Sequence, residues 1–532
     1  MIQTNKSLFL LALFVLSTCF TLGAQLALEA DADQLKKYMN TITEADLKKH
    51  LYILASDDYE GRETATKAQE MAAHYISKHF KDNGLTGPVV ENPNPYLQII
   101  PFRGTQIMKA RMENENASLD LSSDIVPVSL FNLETTKNEL IFLGYAMDTE
   151  ETNDFADVDI NGKGVVMLAG EPGGADDGRS NWQRMRAINN KVAALRDKGA
   201  AFVVITYSAE SQFKTFFPFY KSRFVNKPRL SMDLETEVGK GFPQLMASPS
   251  KIAELFGEST DKFMATIEKY GEKGKPMGGL YTTSVELEVK LANKIVTSSN
   301  VLGFLEGTDL KDEILVITAH YDHVGINGGE VYNGADDDGS GTVGVLELVS
   351  AFGLAAEDGV RPRRSILFMT VTGEEKGLLG SRYYTDQDPI FDLGKTITNL
   401  NIDMIGRVDE DHVDDRNYVY IIGSTMLSTE LHNVHEKVSS TYVPEMNMDY
   451  KYNAKDDPNR FYYRSDHYNF AKNNIPVIFY FNGTHEDYHQ ATDTPDKIAY
   501  DVMEKRARAI FATAWELANR DNRPSLDEGS DK

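Results

Sequence analysis

Histidines and carboxylates collect just beyond strand-like runs in the second half of this sequence. The run EILVITAH ends in His320, and the loop GADDDGSG (334–341) brings Asp336, Asp337 and Asp338. SILFMTVTG leads into Glu374 and Glu375, TNLNIDMIG carries Asp403, and IPVIFYFNG is followed by His485 and His489. In open α/β sheets, ligands bind beyond the carboxyl ends of the strands. Imidazoles and carboxylates concentrated there point to a metal site, and their number points to two metals.

Each motif carries its own chemical argument. In AHYDH (319–323), a ligating His320 needs an acceptor on its second ring nitrogen, and Asp322 is placed to supply it. His323 points elsewhere if the segment stays extended, and reads as polar lining. Three adjacent aspartates repel one another unless a cation is near, so one of them is expected to bridge two metals. The adjacent glutamates of GEEKGLLGS point in different directions, so one can bind metal while the other serves as general base. Asp403 lies among apolar residues, where an unpaired carboxylate is costly. HEDYH (485–489) satisfies the H-E-x-x-H pattern of a zinc metalloprotease helix. It follows a strand and Asn-Gly, however, and precedes a loop marked by Asp493 and Pro495, so no helix is expected there.

These donors need a sheet to hold them. Buried β-branched and aromatic runs alternating with helical segments predict an α/β fold with a mostly parallel sheet flanked by helices. Near the N-terminus, residues 41–85 read as two helices around a Gly-Arg turn, with Thr43 as a cap, Gly84 as a stop, and Met71, Tyr75, Ile76 and Phe80 at helical spacing. His74 and His79 in that segment read as structural. Residues 115–290 contain strand-like ELIFLGYAM, KGVVMLAGEP and AAFVVITYS with a helix between the last two, and no histidine. They read as a smaller, non-catalytic α/β domain inserted between residues 31–114 and 291–522.

At 532 residues the chain is long enough for two domains, and 41% apolar with 25% charged residues is ordinary for a soluble globular protein. A formal charge of −25 argues against nucleic acid and anionic membrane surfaces as partners. Lys6, the apolar run LFLLALFVL and the small residues TLGAQ read as a signal peptide over 1–24, too short to span a bilayer. Cleavage near Ala24 implies export to the periplasm or medium; the alternative is lipoprotein anchoring through Cys19. Cys19 is the single cysteine, which excludes a disulfide framework and a cysteine nucleophile in the processed chain.

Taken in order, His320, DDDGSG, GEEKGLLGS, NIDMIG and YHQATDT resemble the co-catalytic zinc aminopeptidases of the M28 peptidase family. The resemblance implies a zinc exopeptidase fold and two zinc ions per chain. It implies His320 and Asp403 as ligands of separate ions, Asp337 as the bridge, and Glu375 and His489 on one zinc. It also makes Glu374 the general base, makes Tyr488 the group that steadies the substrate carbonyl, and puts Asp466 of SDH (465–467) behind the ligands. The inserted segment resembles a protease-associated (PA) domain. Expected substrates are peptides with a free N-terminus. Other readings are a glutaminyl cyclase-like enzyme, a carboxypeptidase of the same family, and a zinc-stabilised peptide-binding protein without turnover.

Overall fold

The computed structural model describes residues 27–172, 181–272 and 274–529. The expected signal peptide and Cys19 lie outside the described residues. At the centre of the larger lobe, the strand Leu310–His320 pairs in parallel with Arg364–Val371 on one side and Thr396–Ile402 on the other. Val477–Phe481 extends the parallel set beyond Thr396–Ile402. Antiparallel strands close it: Tyr418–Ile422 on one flank and the end of Thr282–Leu305 on the other. Every residue of the 364–371, 396–402 and 477–481 strands is buried, because both faces of the sheet are covered.

Side-chain alternation divides the core. Leu315, Ile317, Ile366, Phe368 and Ile478 face the helices Ala32–Met39, Glu44–Leu54, Lys67–Asp82, Gly341–Glu357 and Tyr500–Asn519, where Phe352 stacks on Trp515. Ile314, Val316, Leu367, Met369 and Phe479 face the opposite layer with Tyr384 and Phe470. The stretch Ala335–Glu357 is apolar and long enough to cross a membrane by length and composition, but it is mostly buried as the central helix of the first layer. Thr43 accepts the Asp46 N–H, and Gly84 adopts φ +75° two residues past the end of the 67–82 helix. Met71 departs from the expected stripe: it is exposed, and Ala72, Ala73, Ile76 and Phe80 form the buried face.

The inserted lobe has its own layers. Strands Leu133–Phe142, Gly164–Leu168, Phe202–Thr206 and Gln244–Ala247 run parallel, with helices including Asn181–Asp197 and Glu210–Lys221. It joins the larger lobe through two long antiparallel strands, Leu97–Glu113 and Thr282–Leu305, paired from Leu97↔Val301 to Glu113↔Glu286. One mixed sheet therefore runs through both lobes. The expected boundary at 114/115 falls beyond the point where this ribbon enters the second core, since Ile107, Ala110 and Met112 already belong there. In return, Leu230 of the inserted lobe packs on Ile100 and Phe102.

Excision of 115–290 would strip Met112 of its core and Ile100 and Phe102 of Leu230. Each large apolar side chain is worth about 1.5–3 kcal/mol of burial, so the loss approaches the roughly 5–15 kcal/mol that holds a whole domain folded. The excised chain is expected to aggregate on size-exclusion chromatography. A monodisperse, folded product would show that the ribbon sustains itself.

Candidate metal centre

Two of the three consecutive aspartates are occupied by hydrogen-bond donors of the protein itself. Asp338 accepts the N–H groups of His320 (3.1 Å), Gly341 (2.9 Å) and Met404 (2.9 Å), tying the His320 strand end to the Asp403 loop. Asp336 accepts from Gly406 N–H (2.7 Å), Ser340 Oγ (3.0 Å) and Asn482 Nδ2 (3.0 Å). Asp493 in turn accepts the N–H groups of Asp336 (2.9 Å) and Asp337 (3.2 Å). Behind the loop, the buried Arg62 guanidinium donates to the carbonyls of Tyr321, Leu54, Asn333 and Gly334. Asp338 stands close enough to His320 and Asp403 to complete a donor triad, but its oxygens are occupied. Asp337 is the aspartate left facing the donors.

Its two oxygens face two clusters. On the Oδ1 side, His320 Nε2 lies 3.2 Å away, with Asp403 Oδ1 3.5 Å and Glu374 Oε2 4.0 Å from the same nitrogen. On the Oδ2 side, His489 Nε2 lies at 2.9 Å, and Glu375 Oε1 is 3.1 Å from His489 Nε2 and 3.0 Å from His323 Nδ1. The adjacent glutamates thus diverge to opposite sides of Asp337. Among the described residues, Asp337 Oδ2, Glu375 Oε1 and both ring nitrogens of His323 are buried without a hydrogen-bond partner. Native proteins rarely leave such atoms unsatisfied, and this set of oxygens and imidazole nitrogens fits a divalent metal.

The electrostatics agree. Burial alone would raise Asp337, but His320 and His489 hold it well below the ordinary carboxylate range. Burial is likewise overcome at Glu375, which is held down to about 2 by His323 and His489. Burial would lower His489, yet Asp337 and Glu375 push it up to about 10. His320, also buried, is held well above its usual value by Asp403, Glu374 and Asp337. Glu374 differs from its neighbour: burial, reinforced by Asp403 and Glu375, pushes it well above the usual value.

The remaining expected residues fall as follows. Tyr488 stacks on the His489 ring at 4.0 Å and lines a small cavity with Glu374, Met404, Phe461, Phe479 and Phe481. Asp322 stands beside His320 differently from the expectation. The Nδ1 nitrogen lies 3.0 Å from the Asp322 carbonyl oxygen and 3.8 Å from its carboxylate, which instead accepts Thr64 Oγ1 (2.6 Å) and the Glu374 N–H (3.2 Å). Asp466 accepts the Ser381 hydroxyl, while its neighbour Ser465 donates to Asp403 Oδ2 (2.6 Å), because successive residues entering the 467–471 helix diverge. HEDYH forms turns and not a helix, which removes the H-E-x-x-H reading. Its His485 meets Asp336 (3.1 Å), and Asp487 pins the loop through Arg407 (2.9 Å) and Lys497 (2.7 Å).

His323 is the main correction. The chain turns after His320, so His323 is not displaced to a lining position but enters the Oδ2 cluster. Its visible signal was a second histidine three residues after the first. Arg62, Asp493 and Ser465 carried no comparable signal.

A divalent ion held by His320 and His489 would compete with protons at both imidazoles, whose pKa values the neighbouring carboxylates raise. Loading must displace these protons, so metal affinity is expected to rise with pH, about tenfold per unit for each proton displaced, until pH passes about 10 at His489. Calorimetric titration in buffers of different ionisation enthalpy should report proton release near neutral pH. Zero release would show that neither imidazole is a ligand.

Residues 300–514 match the family model described as Peptidase family M28. Aminopeptidase YwaD of Bacillus subtilis (strain 168) is 34% identical over 134 residues, covering 25% of this chain and 27% of that protein. Aminopeptidase NAALADL1 of Mus musculus is 29% identical over 188 residues, covering 33% and 24%. The match thus spans about a quarter of the length of these curated relatives. In three dimensions, an aminopeptidase from Aneurinibacillus sp. strain AM-1 aligns over 92% of this chain and 97% of its own, with TM-score 0.54 and 18% identity. BSAP, a zinc aminopeptidase from Bacillus subtilis, aligns over 92% and 99%, with TM-score 0.54 and 16% identity. These two likenesses speak for the fold across both lobes. The likeness to peptidase family M28 is carried by residues 300–514, the part of the chain that holds both donor clusters.

Proposed function

We propose that this protein is an exported zinc-dependent aminopeptidase that removes N-terminal residues from peptides. In this reading, His320 and Asp403 would hold one zinc ion, since Asp403 Oδ1 lies 3.5 Å from His320 Nε2 and not on the opposite side as the resemblance implies; Glu375 and His489 would hold the other, with Asp337 between them and Glu374 as the general base. The observation that carries it is Asp337, with one carboxylate oxygen toward each donor cluster and Glu374 beside the pair, 4.0 Å from His320 Nε2. The printed names of the relatives support the same chemistry. The inserted lobe is read as PA-like and non-catalytic, and the apolar leader supports export.

Bound zinc would polarise the scissile carbonyl and lower the pKa of water. The protein's own groups do the rest. Glu374, raised by burial and by Asp403 and Glu375, suits a group that takes a proton from the attacking water and returns it to the leaving amine near neutral pH. Burial, with Asp337 and Glu375, pushes the Tyr488 hydroxyl up, so it stays protonated and can donate to the carbonyl oxygen as negative charge develops. Met404, Phe461, Phe479 and Phe481 give the cavity an apolar side for the first side chain.

Glu374→Gln is expected to retain metal and lose about 10²–10⁴-fold in turnover, whereas Glu375→Gln should weaken metal binding. Swapped phenotypes would reverse the assignment within the pair. Glu486→Gln should be nearly silent.

An unblocked peptide with an apolar first residue should shorten from its N-terminus in a chelator-sensitive way, and N-acetylation should abolish cleavage. Mass spectrometry separates the alternatives. Ammonia loss from N-terminal Gln without shortening indicates a cyclase, shortening from the other end a carboxypeptidase, and zinc binding without turnover a binding protein.

A further inference from the structure

Buried histidines in this protein mostly have an evident structural use. His435 Nδ1 meets Thr513 Oγ1 at 3.1 Å, and His412 Nδ1 meets Asp409 Oδ1 at 2.8 Å. His467 and His323 both lack hydrogen bonds at either ring nitrogen, but His467 stacks on Phe479 whereas His323 faces carboxylates. His323 is 0% exposed, neither ring nitrogen has a hydrogen-bond partner among the described residues, and Nδ1 lies 3.0 Å from Glu375 Oε1 and 3.8 Å from Asp337 Oδ2. Its ring is firmly seated. Gly334, at φ +55°, passes so close that a Cβ there would lie 2.5 Å from the imidazole. A side chain at 334 is therefore disfavoured by both conformation and space.

We propose that His323 is a fourth protein ligand of the ion held by Asp337, Glu375 and His489, so that this site is closed and the His320 site is the open one. The inference rests on the zinc reading above. Zinc ligands sit about 2.0–2.1 Å from the ion, so the corners of a tetrahedral site lie about 3.3–3.4 Å apart. Four of the six donor separations in this cluster are 2.9, 3.1, 3.0 and 3.8 Å, which bracket that value. The other cluster offers His320, Asp403 and Asp337 Oδ1, with Glu374 as the next group at 4.0 Å from His320 Nε2. Four protein ligands close a zinc site, whereas three leave a position for water or substrate. The two histidines of AHYDH thus serve opposite sides of Asp337, and the chemistry falls to the side that Glu374 faces.

The test is metal binding, read apart from activity. Metal-free wild type titrated with Zn²⁺ against a chromogenic chelator should show one tight and one weaker equivalent. His323→Ala should weaken the tight equivalent by at least about 10–100-fold, the range seen even for groups that only support a ligand, and should change the visible absorption of the Co²⁺-loaded protein. His320→Ala should leave the tight equivalent in place. X-ray absorption of wild type carrying a single zinc equivalent should count two imidazoles. A folded His323→Ala protein, judged by circular dichroism without metal, that keeps the tight equivalent and the Co²⁺ spectrum would overturn the proposal. If that variant does not fold, the imidazole count on wild type decides, and a count of one overturns it. A wild type that takes up no zinc would instead remove the underlying zinc reading.

Discussion

The cost of burying carboxylates governs this structure. Asp322, Asp336, Asp337, Asp338, Glu375 and Asp466 all lie inside the larger lobe around one point. An ionised group moved out of water without partners costs several kcal/mol even after relaxation, so a handful of them would outweigh the stability of an ordinary domain. The protein settles most of these charges internally. Backbone N–H groups occupy Asp338, backbone and side-chain donors occupy Asp336, and Ser381 meets Asp466. Arg62, buried with its own four carbonyl partners, adds a positive charge among Asp493, Asp338, Asp337 and Asp322. Among these carboxylates, the oxygens without a hydrogen-bond partner are Asp337 Oδ2, Glu375 Oε1 and Asp466 Oδ2; the first two face the ring of His323 and are those expected to need a cation.

The same accounting shows why the inserted lobe is more than an appendage. Lys227, on that lobe, donates to the Val324 carbonyl (2.7 Å) and pairs with Glu63 (2.9 Å). Glu63 also pairs with Lys376, the residue after Glu375 (2.9 Å). Both loops that feed the Oδ2 cluster are therefore tied, one residue from His323 and one from Glu375, to a single partly buried carboxylate. With the shared ribbon and the Leu230 contact, the inserted lobe helps to set the positions of these loops.

Much of this was legible in the sequence, for physical reasons. Strands buried on both faces leave continuous apolar runs, and donors just past them stand out because so few polar residues interrupt the pattern. The parallel core, the DDD and EE loops and the turn character of HEDYH followed from that contrast. Direction within short irregular segments was not legible. Extended alternation puts His323 on the lining only if the strand continues, whereas the chain turns after His320, and Ser465 rather than Asp466 meets Asp403 where a turn enters a helix. Arg62 was visible only as part of a Gly-Arg turn, since nothing local reveals that its carbonyl partners come from positions 54, 321, 333 and 334. The lobe boundary is hard to read because a strand that leaves one core and enters another keeps the same alternation throughout.

Donors drawn from separate strand ends make the site depend on sheet register, since a one-residue slip would turn each side chain to the opposite face. In a metalloprotease helix, two histidines one turn apart share a single element; here each donor must be levelled against its neighbours. Thr318 pairs with Asn401, which sets Asp403 level with His320, and His320 pairs with Val371, three residues before Glu374. The register is held by a polar ladder within the buried sheet. Asn399 donates to Thr318 (2.9 Å), Thr318 to the Asn401 side chain (2.6 Å), Asn401 to Ser465 (2.9 Å), and Ser465 to Asp403 (2.6 Å). Slippage would leave these buried groups unpaired, at about 1–3 kcal/mol each. Apolar residues at 318, 399 and 401 could fill the same space, but they would not penalise a slipped register in this way. The ladder ends on a donor carboxylate, so the groups that fix the strands also fix Asp403.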